Sequence, residues 1–255
     1  MAGSRKGELE GRYYHKTYLK INHISLFAMG VSSTKLGVII VAGGVGNRMG
    51  ASVPKQFLKI GEKTILEITL RAFLGRTSEV VVVLPGDQHE RWAALCAESG
   101  LLGTHKVCSG GATRFESVRC GLGALGECDL VAVHDGVRPL VSAEMIDRGV
   151  EVALAGGSAI PLVEAVDSFR VATEGGFRVA DRSKLRAVQT PQIFRTDLLR
   201  EAYQTEPQPC FTDDATVVER LGVELGYYAG ERSNIKITTP EDLVIAEALI
   251  GASAK

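Results

Sequence analysis

From Leu36 onward the chain alternates short apolar runs with amphipathic stretches of helical spacing, and this alternation restricts the fold more than any other feature of the sequence. Strands are predicted over residues 36–41, 79–84, 106–109, 130–134, 158–162 and 223–228, and helices over 65–74, 88–99, 114–125, 143–155, 197–203 and 240–250. Strands that read as continuous apolar runs between helices indicate an α/β fold, a mostly parallel sheet covered on both faces. At 255 residues the chain can bury a sizeable core, in one α/β domain or in two smaller ones.

Ligands of such sheets collect at the carboxyl ends of the strands. The first strand opens into V-A-G-G-V-G-N-R-M-G, followed by Pro54-Lys55-Gln56. Glycines let the backbone approach a ligand and aim amides at it, while Arg48 and Lys55 add charge that amides lack, so the natural guest is a polyphosphate. A Walker loop is excluded, because Lys55 follows Pro54 and precedes Gln56. A dinucleotide fingerprint could start at Gly44-x-Gly46, but Met49 holds the third glycine position and no acidic residue ends a second strand. An ordinary glycine-rich turn remains the bland alternative. Three more motifs sit at strand ends: Gly110-Gly111, His134 to Pro139, and Asn234-Ile235-Lys236.

Charge is nearly balanced, with 29 basic against 30 acidic residues, so no general attraction to nucleic acid or to an anionic membrane is expected. The five cysteines show no C-x-x-C spacing, which fits reduced thiols in a cytoplasmic protein. Residues 1–34 are polar and net basic, with an apolar patch too short to span a bilayer. They read as an extension outside a domain of residues 35–255. Between 163 and 187 the alternation breaks down into a predicted β-hairpin that turns at Glu174-Gly175-Gly176. A two-stranded ribbon is marginal in water unless covered, so this arm either meets a second subunit or folds back on its own domain.

The motifs V-A-G-G-V-G-N-R-M-G, P-K-Q-F, G-G-A-T-R-F-E-S-V, H-D-G-V-R-P, D-R-S-K-L-R-A-V-Q-T-P-Q, T-D-D-A and N-I-K-I-T-T-P-E-D-L, in this order, closely resemble 2-C-methyl-D-erythritol 4-phosphate cytidylyltransferases. The resemblance implies a Rossmann-like nucleotidyltransferase fold, a mostly parallel mixed sheet flanked by helices with a protruding β-arm that clasps a partner in a homodimer. It implies transfer of CMP from CTP to methylerythritol phosphate with release of pyrophosphate, a step of the non-mevalonate isoprenoid pathway. Mg²⁺ is expected to bridge the CTP phosphates. By the same resemblance Arg48 and Lys55 hold the triphosphate, Lys236 lies beside the α-phosphate, and Arg182 joins these catalytic cations. Ala42, Gly43 and Gly44 lie against the nucleotide, and Gly111, Ala112 and Ser117 meet the cytosine. Asp135, Arg138, Ser168, Arg182 and Thr212 hold the acceptor, with Ser168 and Arg182 supplied by the neighbouring subunit.

The chain departs from the family pattern at three of these places. Ala112 stands where an acidic residue is common, Gly43 where alanine is, and Ser168 where threonine is usual. His134 is read as a core residue, while Asp213 and Asp214 are either metal ligands or acids at a helix N-terminus. Ser117 has a competing reading as a helix hydroxyl bonded to its own backbone. Ribitol 5-phosphate cytidylyltransferase is the nearest alternative function, disfavoured by Asp181-Arg182-Ser183-Lys184-Leu185. A nicotinamide-binding oxidoreductase and a non-catalytic nucleotide sensor are more remote.

Overall fold

A computed structural model describes residues 34–43 and 53–253. The chain divides between Thr34 and Lys35, and every element below belongs to the unit that starts at Lys35. Residues 1–33 and the segment 44–52, with Gly44 and Arg48, lie outside the described residues.

β1 (Leu36–Val41) leads through a 3₁₀ turn at Lys55–Phe57 and the short strands β2 (Lys59–Ile60) and β3 (Lys63–Thr64) into α1 (Ile65–Phe73). The alternation continues through β4 (Glu79–Leu84), α2 (His89–Ser99), β5 (Lys106–Ser109), α3 (Arg114–Ala124), β6 (Leu130–Asp135), α4 (Ala143–Gly156) and β7 (Ser158–Glu164). After the hairpin β8 (Arg170–Thr173) and β9 (Gly176–Val179) come β10 (Arg186–Val188), β11 (Gln192–Arg195), α5 (Thr196–Ala202), α6 (Asp214–Glu219), β12 (Tyr227–Ala229) and α7 (Pro240–Ser253). Among the described residues no helix is long and apolar enough to cross a membrane.

The main sheet runs β10-β7-β11-β6-β1-β4-β5, with β12 paired to β7. β5, β4, β1 and β6 are mutually parallel, and β11 reverses direction between β6 and β7, so the sheet is mixed. Period-two alternation divides the core between the two faces. Val38, Ile40 and Val82 pack with Leu66, Phe73 and Trp92 on one side, while Ile39, Val81 and Val83 pack with Phe115, Val118 and Leu122 on the other. Helices on both faces are what the continuous apolar strands demanded. Capping boxes start three helices, Thr64 with Glu67 for α1, Thr113 with Glu116 for α3 and Asp213 with Thr216 for α6.

Two strands differ from the sequence reading. The strand predicted over 223–228 starts later, as Tyr227–Ala229 paired with Ile160 to Leu162 of β7, and Gly226 before it approaches β7 so closely that a Cβ there would sit 2.3 Å from the Ser158 carbonyl oxygen. β11 was not predicted. It carries buried Gln192 and exposed Arg195 in four residues, which gives no apolar run to recognise. The hairpin β8–β9 forms its own two-stranded sheet with every residue exposed, Phe177 and Val179 at 76% and 69%.

Candidate active site

Register brings the suspected loops to one edge. Val41 is level with Val83 and with Asp135, and Leu84 is level with Ser109. The chain therefore leaves β1, β5 and β6 at one edge of the sheet as Ala42-Gly43, Gly110-Gly111 and Asp135 to Arg138, with β4 between β1 and β5. Backbone bonds continue past the strands: Ala42 N donates to Val83 O, Gly110 N to Leu84 O and Gly136 N to Val41 O, at 2.9, 2.8 and 2.8 Å. Gln56 is buried beside Lys55 and donates its Nε2 to the Ala42 carbonyl at 2.8 Å, so the returning end of the first loop is tied to its start.

Asp135 is the electrostatic centre. Its Oδ2 lies 3.1 Å from Lys236 Nζ and 3.2 Å from Arg138 Nε, and its Oδ1 lies 3.6 Å from Arg114 Nε. Burial alone would raise this carboxyl's pKa, but Arg114, Lys236 and Arg138 outweigh it and hold the group well below the usual carboxylate range. The loop that carries Lys236 is stitched to this centre. Arg138 Nη1 donates to Asn234 O at 2.9 Å, Ile237 N donates to Val137 O at 2.9 Å, and the wholly buried Asn234 donates Nδ2 to Thr190 O at 2.8 Å. Because β11 runs opposite to β6, the segment entering it reaches the same edge, and Asp135 N donates to Thr190 Oγ1 at 3.0 Å.

His134 has no free atom for acid–base work. Its Nε2 faces the Arg138 carbonyl at 3.0 Å and must donate to it, which leaves Nδ1 to accept from Thr190 Oγ1 at 3.1 Å. Complete burial pushes its pKa down to about 4, so it stays neutral.

On the nucleotide side Ser117 is buried and donates Oγ to Thr113 O at 2.9 Å, the backbone-bonded arrangement weighed against a ligand role. That oxygen still borders the loops assigned to the nucleotide. A Cβ on Gly43 would lie 3.6 Å from it, and one on Gly110 only 2.7 Å. Gly111 and Ala112 are exposed, and Ala112 offers only its main chain for polar contact.

The acceptor-side residues divide. Asp135, Arg138 and Lys236 converge, and Thr212 is exposed in the turn before α6. Ser168 and Arg182 lie exposed near the root of the hairpin, where Arg182 Nη1 donates to Val166 O at 2.8 Å. Among the described residues no hydrogen bond or ion pair joins either of them to the Asp135 centre. Both aspartates before α6 are committed. Asp213 caps the helix through Thr216 N at 2.9 Å and accepts from Gln192 Nε2 at 3.0 Å, while Asp214 accepts from Arg114 and Tyr203. Among the described residues no cluster of His, Cys, Asp and Glu could hold a metal, and Asp135 is already shared by three cations. Sequence reasoning gave no individual role to Arg114, Thr190 or Asn234, although each lies inside a quoted motif. The partner of Arg114 is 100 residues away.

Comparison with known proteins points the same way. Residues 36–252 match the model of a family described as IspD, 2-C-methyl-D-erythritol 4-phosphate cytidylyltransferase. A relative of that name from Bacteroides thetaiotaomicron is 47% identical over 218 residues, spanning 85% of this chain and 100% of the relative. The solved structure of the Thermus thermophilus protein of that name is 36% identical with a TM-score of 0.69, covering 84% of this chain and 98% of that one. A 4-diphosphocytidyl-2C-methyl-D-erythritol synthase from Anaerococcus prevotii is 27% identical with a TM-score of 0.74, covering 87% and 98%.

Proposed function

The chain belongs to the 2-C-methyl-D-erythritol 4-phosphate cytidylyltransferase family, and from that premise we propose how its residues divide the work. The reaction is CTP-dependent cytidylyl transfer to methylerythritol phosphate in isoprenoid biosynthesis, and the chain is a nucleotidyltransferase. A phosphate oxygen of the acceptor attacks the α-phosphorus of CTP, the α–β anhydride bond breaks, and pyrophosphate leaves with the bonding pair.

Two anions must meet for this to happen, so alignment and charge neutralisation carry the catalysis. The observation that best supports the assignment is the gathering of Arg138, Lys236 and Arg114 around Asp135, at the edge where the glycine loops end. Lys236 Nζ, paired with Asp135 at rest, turns to the reacting phosphates when substrates bind. Asp135 then takes the acceptor's hydroxyls, and Arg138 continues to anchor the Asp135 loop to Asn234. Arg48 and Lys55 hold the triphosphate. Ala42, Gly43 and Gly44 pack against the nucleoside, and main-chain groups of Gly111 and Ala112, with Ser117 beneath them, select cytosine.

Nucleotidyltransferases generally use a divalent metal, and Mg²⁺ is the ion assigned here. With Asp135 occupied by cations and Asp213 and Asp214 committed to other partners, the triphosphate rather than a protein cage would carry it, and it would offset phosphate charge. The exposed arm is assigned to a homodimer, in which Ser168 and Arg182 serve the neighbouring subunit's acceptor site together with Thr212. Phe177 and Val179 need a cover, and a second copy of the arm supplies one. All five cysteines are free thiols, which fits the reducing cytoplasm as the place of action.

A pyrophosphate-release assay tests this reading. Release should require CTP, Mg²⁺ and methylerythritol phosphate together, and Lys55→Ala and Lys236→Ala should each cut turnover by about 10²-fold or more. Equal or faster turnover with ribitol 5-phosphate would move the assignment to that neighbouring activity, and near wild-type rates in either variant would remove the role given to that lysine.

A further inference from the structure

Arg114 is given no contact with substrate above, yet its side chain joins three segments of the site: its own loop, Asp214 and Asp135. It follows the α3 cap Thr113, two residues after Ala112 in the loop assigned to cytosine. Nη1 and Nη2 donate to the two carboxylate oxygens of Asp214 at 2.9 and 2.7 Å, while Nε faces Asp135 Oδ1 at 3.6 Å. A two-pronged pair of this kind fixes the plane of the guanidinium as well as its position, so Asp214 decides where Nε points.

Asp214 is itself immobilised. It has no exposed surface, and Tyr203 donates its hydroxyl to Oδ1 at 2.6 Å. Burial and the Asp214 carboxylate push the Tyr203 pKa upward, so the hydroxyl keeps its proton and remains a donor. The Tyr203 ring is held in turn, stacked on Phe115 with ring centres 4.7 Å apart. Asp214 opens α6 two residues after Thr212, so one side chain links the cytosine loop, the hydroxyl-binding carboxylate and the Thr212 turn.

A buried ion pair is weak evidence for stability, since apolar replacements of similar volume often serve as well. What distinguishes this pair is the third partner. Arg138 and Lys236 both lie on Oδ2 of Asp135, whereas Arg114 faces Oδ1. We propose that Arg114, locked by Asp214, is a positioning residue for the acceptor: it sets the orientation in which the Asp135 carboxylate receives the hydroxyls of methylerythritol phosphate. This rests on the assignment of Asp135 made above.

Steady-state kinetics on wild type, Asp214→Asn, Arg114→Lys and Tyr203→Phe test the proposal. Asparagine turns one acceptor into a donor facing the guanidinium, and lysine keeps the charge but loses the fork. Each should raise the KM for methylerythritol phosphate by about tenfold or more, the scale of a misdirected charged hydrogen bond, while the KM for CTP stays within about twofold. Tyr203→Phe keeps the ring stack and should give a smaller rise of the same selectivity. An unchanged acceptor KM in both Asp214→Asn and Arg114→Lys overturns the proposal. So does a parallel rise of both KM values, or a loss confined to kcat, because a merely structural role would produce either. A wild-type enzyme that releases no pyrophosphate from CTP and methylerythritol phosphate refutes the function itself and this role with it, and the unmutated control separates that outcome from the others.

Discussion

Lowering the pH from 7 to 4.5 puts a proton on any histidine that water can reach, and His134 is cut off from water. Its ring stands edge-on to Phe73 with centres 5.0 Å apart, and both nitrogens are engaged, with the Arg138 carbonyl and the Thr190 hydroxyl. Burial holds its pKa at about 4, against an ordinary value of 6.5. Between those values the unfolded chain binds a proton that the folded protein refuses. The contribution is therefore fully present above about pH 6.5 and is lost as the pH falls toward the folded value. Those two values give a loss on the order of 2 kcal/mol between pH 7 and pH 4.5. Urea unfolding of wild type and His134→Gln across this range would read it, since glutamine also donates and accepts but does not titrate. The variant should start less stable, and its deficit should shrink by about 2 kcal/mol at pH 4.5 with m unchanged. His105, also shifted downward by burial, is common to both proteins and cancels in the difference. A deficit that stays constant with pH would refute the reasoning, as would an NMR titration of the His134 ring with an ordinary midpoint.

Two further predictions concern the nucleotide loop and the arm. Gly110→Ala would place a Cβ 2.7 Å from Ser117 Oγ and 3.2 Å from Val83 Cγ1, so the loop must shift. At the usual overpacking cost of about 1 to 3 kcal/mol, the KM for CTP should rise well above that for the acceptor, and equal effects on both would count against a cytosine role for this loop. Phe177→Asp combined with Val179→Asp puts charge on the exposed face of the hairpin. Sedimentation should show a wild-type dimer and a monomeric variant, and a wild type already monomeric at micromolar concentration would remove the arm's assigned role.

Features carried by consecutive residues were legible in the sequence. The apolar runs of β1, β4 and β6 and the loop from His134 to Arg138 needed only periodicity and local chemistry, and a mostly parallel sheet with helices on both faces followed, without the antiparallel β11 that makes it mixed. What escaped is polar and non-local. Gln192 reads as a surface residue, yet it is buried, donating to Asp213 and accepting from Ala215 N. Thr190 and Asn234 are short polar residues whose importance lies in partners 55 and 44 positions away, as Asp135 N donates to the first and the second donates to Thr190 O. Tertiary pairing at such range leaves no mark on a hydrophobic pattern.

A pocket furnished with its own counter-ions behaves unlike a bare ring of positive charge. Asp135 sits against Arg138 and Lys236, and Asp214 lies under Arg114, so two carboxylates offset three basic groups before any ligand arrives. At these three groups an incoming anion competes with carboxylates already in place. A guest that brings hydroxyls for the carboxylate together with phosphate oxygens for the ammonium compensates both partners of the Asp135–Lys236 pair when it separates them, which an anion without hydroxyls does not.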